Sequence, residues 1–235
     1  MTQNTMQQII ITEPGGPEKL AYETVAIPEP QANEVLVKVH AFGLNRPDIL
    51  QRQGLYPMPK GVTPVPGLEV AGEVVAVGAD VSQFKVGDAV CGLTNGGGYA
   101  EYCVVPESQT LTIPSGVSFV QAAAIPETFF TVWANVFQMG KAKAGETALI
   151  HGGTSGIGTT ALMLCKALGL KTFATVGSDE KVQAISHLTT AINYKTQDFE
   201  QVINEVTDNA GVDVILDIVG APHLERNLNL FRRDG

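Results

Sequence analysis

The stretch His151-Gly152-Gly153-Thr154-Ser155-Gly156-Ile157-Gly158 decides how the second half of this chain is read. Before it runs Thr147-Ala148-Leu149-Ile150, a short apolar strand ending at His151. After it, from Thr159 to Leu168, apolar residues recur at Ala161, Leu162, Leu164, Cys165 and Leu168, the spacing of one helix face, and Gly169 supplies a stop. A glycine-rich turn between strand and helix lets backbone approach a pyrophosphate, which the free N–H groups and the dipole of the helix start then bind. Two registers of such a fingerprint fit. Gly153-x-Ser155-x-x-Gly158 begins where the strand ends but carries serine in the middle. Gly156-x-Gly158-x-x-Ala161 has the glycine spacing but begins late. The first is preferred, because the turn belongs at the strand end, and the Ser155 hydroxyl can donate to a phosphate oxygen. The plain alternative is a glycine-rich turn with no ligand.

The residues downstream argue against that alternative. Strand-like Lys171–Val176 leads to a helix over 179–188, then to a strand over 191–194. A helix over 199–210 and a strand over 212–217 complete the series. Strand–helix alternation implies a parallel sheet with right-handed crossovers. At the end of the second strand an NAD site wants an acid for the ribose 2′-OH. Here the chain reads Thr175-Val176-Gly177-Ser178, with no acid. Ser178 has the form of an N-cap, which places Lys181 in the first turn against the helix dipole, where Asp179 and Glu180 offset it. A lysine and a serine so placed suit a 2′-phosphate. The alternative is a solvated lysine on a surface helix.

Upstream the period changes to two. Val35, Val37 and Val39 share one face of 34–40, and further strands read over 70–78, 88–91 and 99–105. Pro64-Val65-Pro66-Gly67, Val86-Gly87-Asp88 and Asn95-Gly96-Gly97-Gly98 punctuate them. Short strands between glycine and proline turns suggest a partly open antiparallel barrel. The fold class is therefore α/β plus β: a β-barrel domain over 1–122, then a Rossmann-type domain over 123–235.

Composition narrows the function. Among 235 residues, 15 Lys and Arg stand against 24 Asp and Glu, a net charge of −9. Such a chain repels phosphate backbones and anionic lipid, which disfavours nucleic acid and membrane surfaces as partners. No apolar stretch is long enough to cross a bilayer, and no cationic region followed by an apolar run stands near Met1, so no secretory signal is expected. The three cysteines, Cys91, Cys103 and Cys165, form no CxxC and suit a reducing, cytoplasmic setting. Cys165 lies on the apolar helix face, where a free cysteine packs as a small core residue.

These residues resemble the medium-chain dehydrogenase/reductase family, in its zinc-independent NADPH:quinone oxidoreductase branch, which includes the p53-inducible quinone oxidoreductases. The stretches that carry the resemblance are Gly43-Leu44-Asn45-Arg46-Pro47-Asp48, Val65-Pro66-Gly67-Leu68-Glu69-Val70-Ala71-Gly72, Phe84-Lys85-Val86-Gly87-Asp88 and the glycine turn. The resemblance implies a GroES-like substrate domain followed by a Rossmann domain, with the acceptor pocket between them. It implies NADPH as cofactor, held by Gly152, Gly153, Thr154, Ser155, Gly156 and Ile157. Thr131 then lies beside the nicotinamide, and Ser178, Lys181 and Tyr194 lie around the 2′-phosphate. Asn45 and Tyr56 face the pocket as the catalytic candidates. They are equally readable as a turn residue before Pro47 and a loop-packing residue beside Pro57.

Zinc-dependent relatives place a Cys and a His where this chain has Asn45 and Leu68, so no metal is expected, and Glu69 is left without metal-binding partners. Without zinc as Lewis acid the acceptor must already be electrophilic, which points to a small-molecule quinone. Enones, alkenals and enoyl thioesters are the alternative acceptors, and a nucleotide-binding protein without useful catalysis is the alternative from another class. Asp48 reads as a structural hydrogen-bond acceptor, His40 as a strand residue, and His187 and His223 as surface residues. His151, at a strand end beside the cofactor turn, is within reach of a ligand. The family continues beyond Phe231-Arg232-Arg233-Asp234-Gly235, so the chain is expected to be truncated, with four of six Rossmann strands, an exposed sheet edge, and homodimers formed by the full-length protein.

Overall fold

The computed structural model describes residues 4–232, and the chain divides into two compact units, Met1–Glu127 and Thr128–Gly235. Arg233, Asp234 and Gly235, at the end where truncation is expected, lie outside the described residues.

The first unit is antiparallel. β1 (Thr5–Ile11) and β2 (Leu20–Ala26) pair with each other. β3 (Glu34–Phe42), β4 (Glu69–Val77), β5 (Ala89–Leu93), β6 (Tyr102–Pro106) and β7 (Thr110–Thr112) form one sheet in the order β6-β3-β4-β5-β7. Val35 and Val37 of β3 meet Val70 and Val74 of β4, with Val90, Cys103 and Val105, in a core with almost no exposure. The β3–β4 register slips between Leu36 and Val37 and again between Val39 and Ala41. Each slip bends and twists the ladder, which is how this sheet acquires its half-barrel curvature. The strand expected from Tyr99 starts only at Tyr102. Residues 99–101 instead serve other segments: Tyr99 accepts from the Ile9 N–H, and Glu101 accepts from the Val39 N–H. α1 (Arg46–Arg52) lies between β3 and β4, and α2 (Phe119–Ala122) follows an N-cap at Ser118. α3 (Pro126–Val132) then continues as a π-helical segment, Trp133–Met139.

The second unit is the alternating one. β8 (Thr147–His151), β9 (Lys171–Val176), β10 (Thr190–Asn193) and β11 (Val214–Leu216) form an all-parallel sheet in the order β10-β9-β8-β11. Both faces are covered, so the strands read as continuous apolar runs. Ala148 and Ile150 pack with Ala161, Leu162 and Cys165 of α4 (Gly156–Ala167) on one face. Leu149 points the other way, to Phe199 and Ile203 of α6 (Phe199–Val206) and Leu230 of α7 (Leu224–Leu230). Each fully buried Leu, Ile or Phe here stabilises the unit by about 1.5–3 kcal/mol.

Helix ends depart from expectation by a few residues. α4 starts at Gly156 rather than Thr159, because Ser155 is its N-cap and accepts from the Gly158 N–H at 2.9 Å. α5 (Asp179–Ile185) ends before Leu188. α6 stops at Val206, short of Ala210, as Asp208 and Asn209 turn to φ +52° and +60°. Among the described residues no helix is long and apolar enough to cross a membrane.

Candidate functional site

In a doubly wound sheet the ligand edge is the carboxyl end of the strands. Three segments gather there in the second unit. The first is the glycine turn after β8. The N–H groups of Gly152 and Gly153 both donate to the Thr175 carbonyl, at 3.1 and 3.0 Å, and Ser155 N–H donates to the Gly152 carbonyl at 2.9 Å. Gly152 has φ +74°, a conformation other residues rarely adopt. Gly158 presses α4 onto the turn: a Cβ there would stand 2.3 Å from the Gly152 carbonyl oxygen. This is the close helix–strand packing that the third glycine of a dinucleotide fingerprint supplies, in the register that starts at Gly153. The N–H groups of Gly156 and Ile157 open α4, before any helical carbonyl can serve them, so they are donors for an anion. Thr154 is half-buried in the turn. The residues present thus fit a dinucleotide pyrophosphate.

The second segment follows β9. Ser178 caps α5 and its hydroxyl accepts from the Lys181 N–H at 3.4 Å. Tyr194 N–H donates to the Val176 carbonyl, and a Cβ on Gly177 would lie 3.0 Å from the Tyr194 hydroxyl. Ser178, Lys181 and Tyr194 are therefore brought around Gly177. The nearest acid, Asp179, is engaged elsewhere, accepting from the Asn193 side chain at 2.7 Å. Thr131 is half-buried near the end of α3, three residues beyond Thr128. Thr128 itself lies against the start of α4, 3.2 Å from where a Gly156 Cβ would be. Residues three apart share a helix face, so Thr131 is on the side of α3 that looks toward α4.

The third segment corrects two expectations. His151 is not within reach of a ligand. It is completely buried, with Nδ1 2.8 Å from Thr175 Oγ1 and Nε2 2.8 Å from Asn227 Oδ1. Burial pushes its pKa below the ordinary histidine value. His223 is not a free surface residue either. It is half-buried and stacks on His151 with ring centroids 4.6 Å apart. His187 is exposed, as expected. Sequence reasoning did not find Asp217, Asn227 or Thr175, which surround His151. Asp217, one residue past β11 at the same sheet edge, was the one legible signal.

The polar cluster of the first unit centres on two buried acids. Asp48 accepts from Asn45 N–H at 2.8 Å, Gly67 N–H at 3.2 Å and the Tyr99 hydroxyl at 3.0 Å, the structural part expected of it. Glu69 accepts from Asn45 Nδ2 at 2.8 Å and from the Glu127 N–H at 2.9 Å. Burial raises the Glu69 pKa and the Asp48 charge adds to this, although its two hydrogen bonds oppose them. The Glu127 carboxyl is raised by burial and by the charges of Glu69 and Asp48. Asn45 caps α1 while its amide is spent partly on Glu69. Tyr56 stands on the exposed loop after α1, and among the described residues no hydrogen bond joins it to Asn45. Nor does any group of three His, Cys, Asp or Glu there form a metal cluster. Cys91, Cys103 and Cys165 are free and buried, their thiols pushed by burial to about 11, 12 and 11.

Comparison with known proteins follows this division. Residues 31–115 match the alcohol dehydrogenase GroES-like domain, and residues 156–235 match the zinc-binding dehydrogenase family. The quinone oxidoreductase of Rattus norvegicus is 35% identical over 237 residues, spanning 99% of this chain and 72% of that protein. The crystal structure of Escherichia coli quinone oxidoreductase complexed with NADPH superimposes with a TM-score of 0.84 at 33% identity, covering 97% of this chain and 71% of that one. The CurK enoyl reductase superimposes with a TM-score of 0.88 at 31% identity, covering 99% of this chain and 73% of its own.

Proposed function

Because the chain belongs to the medium-chain dehydrogenase/reductase family, in its quinone oxidoreductase branch, we propose that it serves NADPH-dependent, zinc-independent reduction of a quinone. The observation that carries this reading is the Asn45–Glu69 pair. At the positions where zinc-dependent relatives place Cys and His, this chain has an amide that donates to Glu69 at 2.8 Å and, in Leu68, an alkyl group. Neither is a zinc ligand, so Glu69 would have to bind a metal without them. A site without a Lewis acid suits an acceptor that is already electrophilic.

NADPH, when bound, supplies the hydride. The chain's own residues bind and orient. In the turn Gly152-Gly153-Thr154-Ser155-Gly156-Ile157 the N–H groups of Gly152, Gly153 and Ser155 fold the turn itself, and those of Gly156 and Ile157 are offered to the pyrophosphate. Ser178, Lys181 and Tyr194 hold the 2′-phosphate, and Thr131 lies beside the nicotinamide. Asn45 and Tyr56 meet the acceptor, with the Tyr56 hydroxyl donating to the quinone oxygen as charge develops there. The buried free thiols support a reducing, cytoplasmic setting.

A second reading, reduction of a conjugated double bond in an enone, alkenal or enoyl thioester, is supported by the likeness to the CurK enoyl reductase. The experiment follows NADPH oxidation with p-benzoquinone and with alkenals at matched concentration, before and after treatment with a strong chelator. Faster turnover of quinone, unaffected by the chelator and without stoichiometric zinc by elemental analysis, is the expected result. Faster alkenal turnover selects the second reading. NADPH binding without turnover leaves a nucleotide-binding protein. About one zinc per chain whose removal stops turnover overturns zinc independence.

A further inference from the structure

We propose that His151 is a positioning residue of the dinucleotide site, held in one tautomer by a relay from Asp217 through Asn227, and that it ties together the three strand ends around the glycine turn. The inference rests on reading that turn as the nucleotide site.

One imidazole joins all three ends, two directly and that of β11 through Asn227. His151 is the last residue of β8, directly before Gly152. Its Nδ1 meets Thr175 Oγ1 at 2.8 Å, and the carbonyl of the same Thr175 receives the N–H groups of Gly152 and Gly153. Its Nε2 meets Asn227 Oδ1 at 2.8 Å on α7, and Asn227 Nδ2 donates to Asp217 Oδ2 at 3.0 Å. Asp217 Oδ1 accepts from Val219 and Gly220 N–H at 2.8 and 2.9 Å, folding the turn after β11. That turn abuts the glycine turn: a Cβ on Gly152 would lie 2.9 Å from Ile218 Cδ1. The ring plane is fixed by His223, stacked at 4.6 Å, and by the edge of Phe199 at 5.2 Å.

The direction of the relay follows from donor and acceptor capacity. Burial pushes the Asp217 pKa up, but the Gly220 and Val219 N–H groups, with the nearby histidines, outweigh it and hold the carboxyl below its ordinary value. A carboxylate only accepts, so Asn227 must turn its Nδ2 toward Asp217 and its Oδ1 toward His151. An acceptor facing Nε2 requires a proton on Nε2. Burial, reinforced by the charges of His223 and Arg226, keeps the ring neutral against the opposing pull of Asn227 and Asp217. Nδ1 is therefore a bare lone pair that accepts from the Thr175 hydroxyl.

Asp217→Asn changes one atom and tests the polarity. The new amide donates to Asn227 Oδ1, Asn227 Nδ2 swings to His151 Nε2, and the ring proton moves to Nδ1, facing Thr175 Oγ1. Nitrogen NMR of histidine-labelled protein should show a protonated Nε2 in the unaltered chain and a protonated Nδ1 in Asp217→Asn. Asn227→Ala cuts the relay. It should raise the Kd for NADPH and for NADH by the same factor, about tenfold, because both nucleotides share the pyrophosphate turn. Asp217→Asn keeps the chain of bonds and should lose less affinity than Asn227→Ala. Thr175→Val, nearly isosteric, decides the affinity question should Asn227→Ala not fold.

A protonated Nδ1 in the unaltered chain, or no tautomer change in Asp217→Asn, overturns the relay. Unchanged affinity for both nucleotides in the folded variant overturns the positioning. An unaltered chain that binds neither nucleotide overturns the proposed function and the positioning with it, while the tautomer still reads the relay by itself.

Discussion

Replacing Lys181 with alanine isolates the choice between NADPH and NADH. Lys181 is the third residue of α5, and its N–H donates to the hydroxyl of the N-cap Ser178, so both side chains leave the same turn. A hydrogen bond to a charged group contributes about 1.5–3 kcal/mol. The Lys181 side chain is exposed, and solvent screening pulls that range to its lower end, about 1.5–2 kcal/mol. Lys181→Ala should therefore raise the Kd for NADPH by about 10- to 30-fold. NADH offers a hydroxyl in place of the phosphate and should lose less than about twofold. The helix itself should gain, since a cation in the first turn opposes the dipole by about 0.3–1 kcal/mol. The free variant should melt no lower than the unaltered chain, which separates binding from stability. Titration of both nucleotides at low and high salt is the assay, and the NADPH preference should shrink as salt rises. Equal losses for NADPH and NADH, at undiminished stability, would refute the assignment.

Gly158→Ala forces a Cβ to within 2.3 Å of the Gly152 carbonyl oxygen, a backbone atom that cannot rotate away. It should cost about 1–3 kcal/mol, lowering the melting temperature by roughly 2–12 °C, and weaken both nucleotides alike. The three buried thiols, pushed to about 11, 12 and 11, are almost wholly protonated at neutral pH. A thiol reagent should label none of them in the folded chain near neutrality. Labelling should rise with pH, as the thiolate fraction grows, and reach all three in denaturant.

The parts of the fold that were legible in sequence are those decided by local pattern. Thr147–His151 and Lys171–Val176 end where the apolar runs end, and Ser178 caps the helix after it. The first unit was harder. β1 carries Ile9-Ile10-Ile11, without the alternation of a half-buried strand, and pairs with β2 across residues 12–19, too long a connection to read as a two-residue hairpin despite Pro14-Gly15-Gly16-Pro17, so neither strand stood out. β7 is three residues long, and α3 with its π-helical extension has no glycine or proline stop inside it. The glycine turn was readable because its chemistry is contiguous. The surroundings of His151 were not, because Thr175, Phe199, Asp217 and the α7 pair His223 and Asn227 arrive from four separate segments. The hydrogen bonds of Glu69 have the same character: Asn45 lies 24 residues before it and Glu127 58 after it.

The π-helical segment begins at Trp133, the single tryptophan of the sequence, about half-exposed and within the second unit. Four of the five tyrosines, Tyr22, Tyr56, Tyr99 and Tyr102, belong to the first unit. Emission from the indole thus comes from a label seated within residues 128–235, while far-ultraviolet dichroism weighs strands and helices throughout the chain. Coincident denaturation curves from the two signals would mean one cooperative block. Curves that part would make a melting temperature read from tryptophan a property of the nucleotide-binding half only.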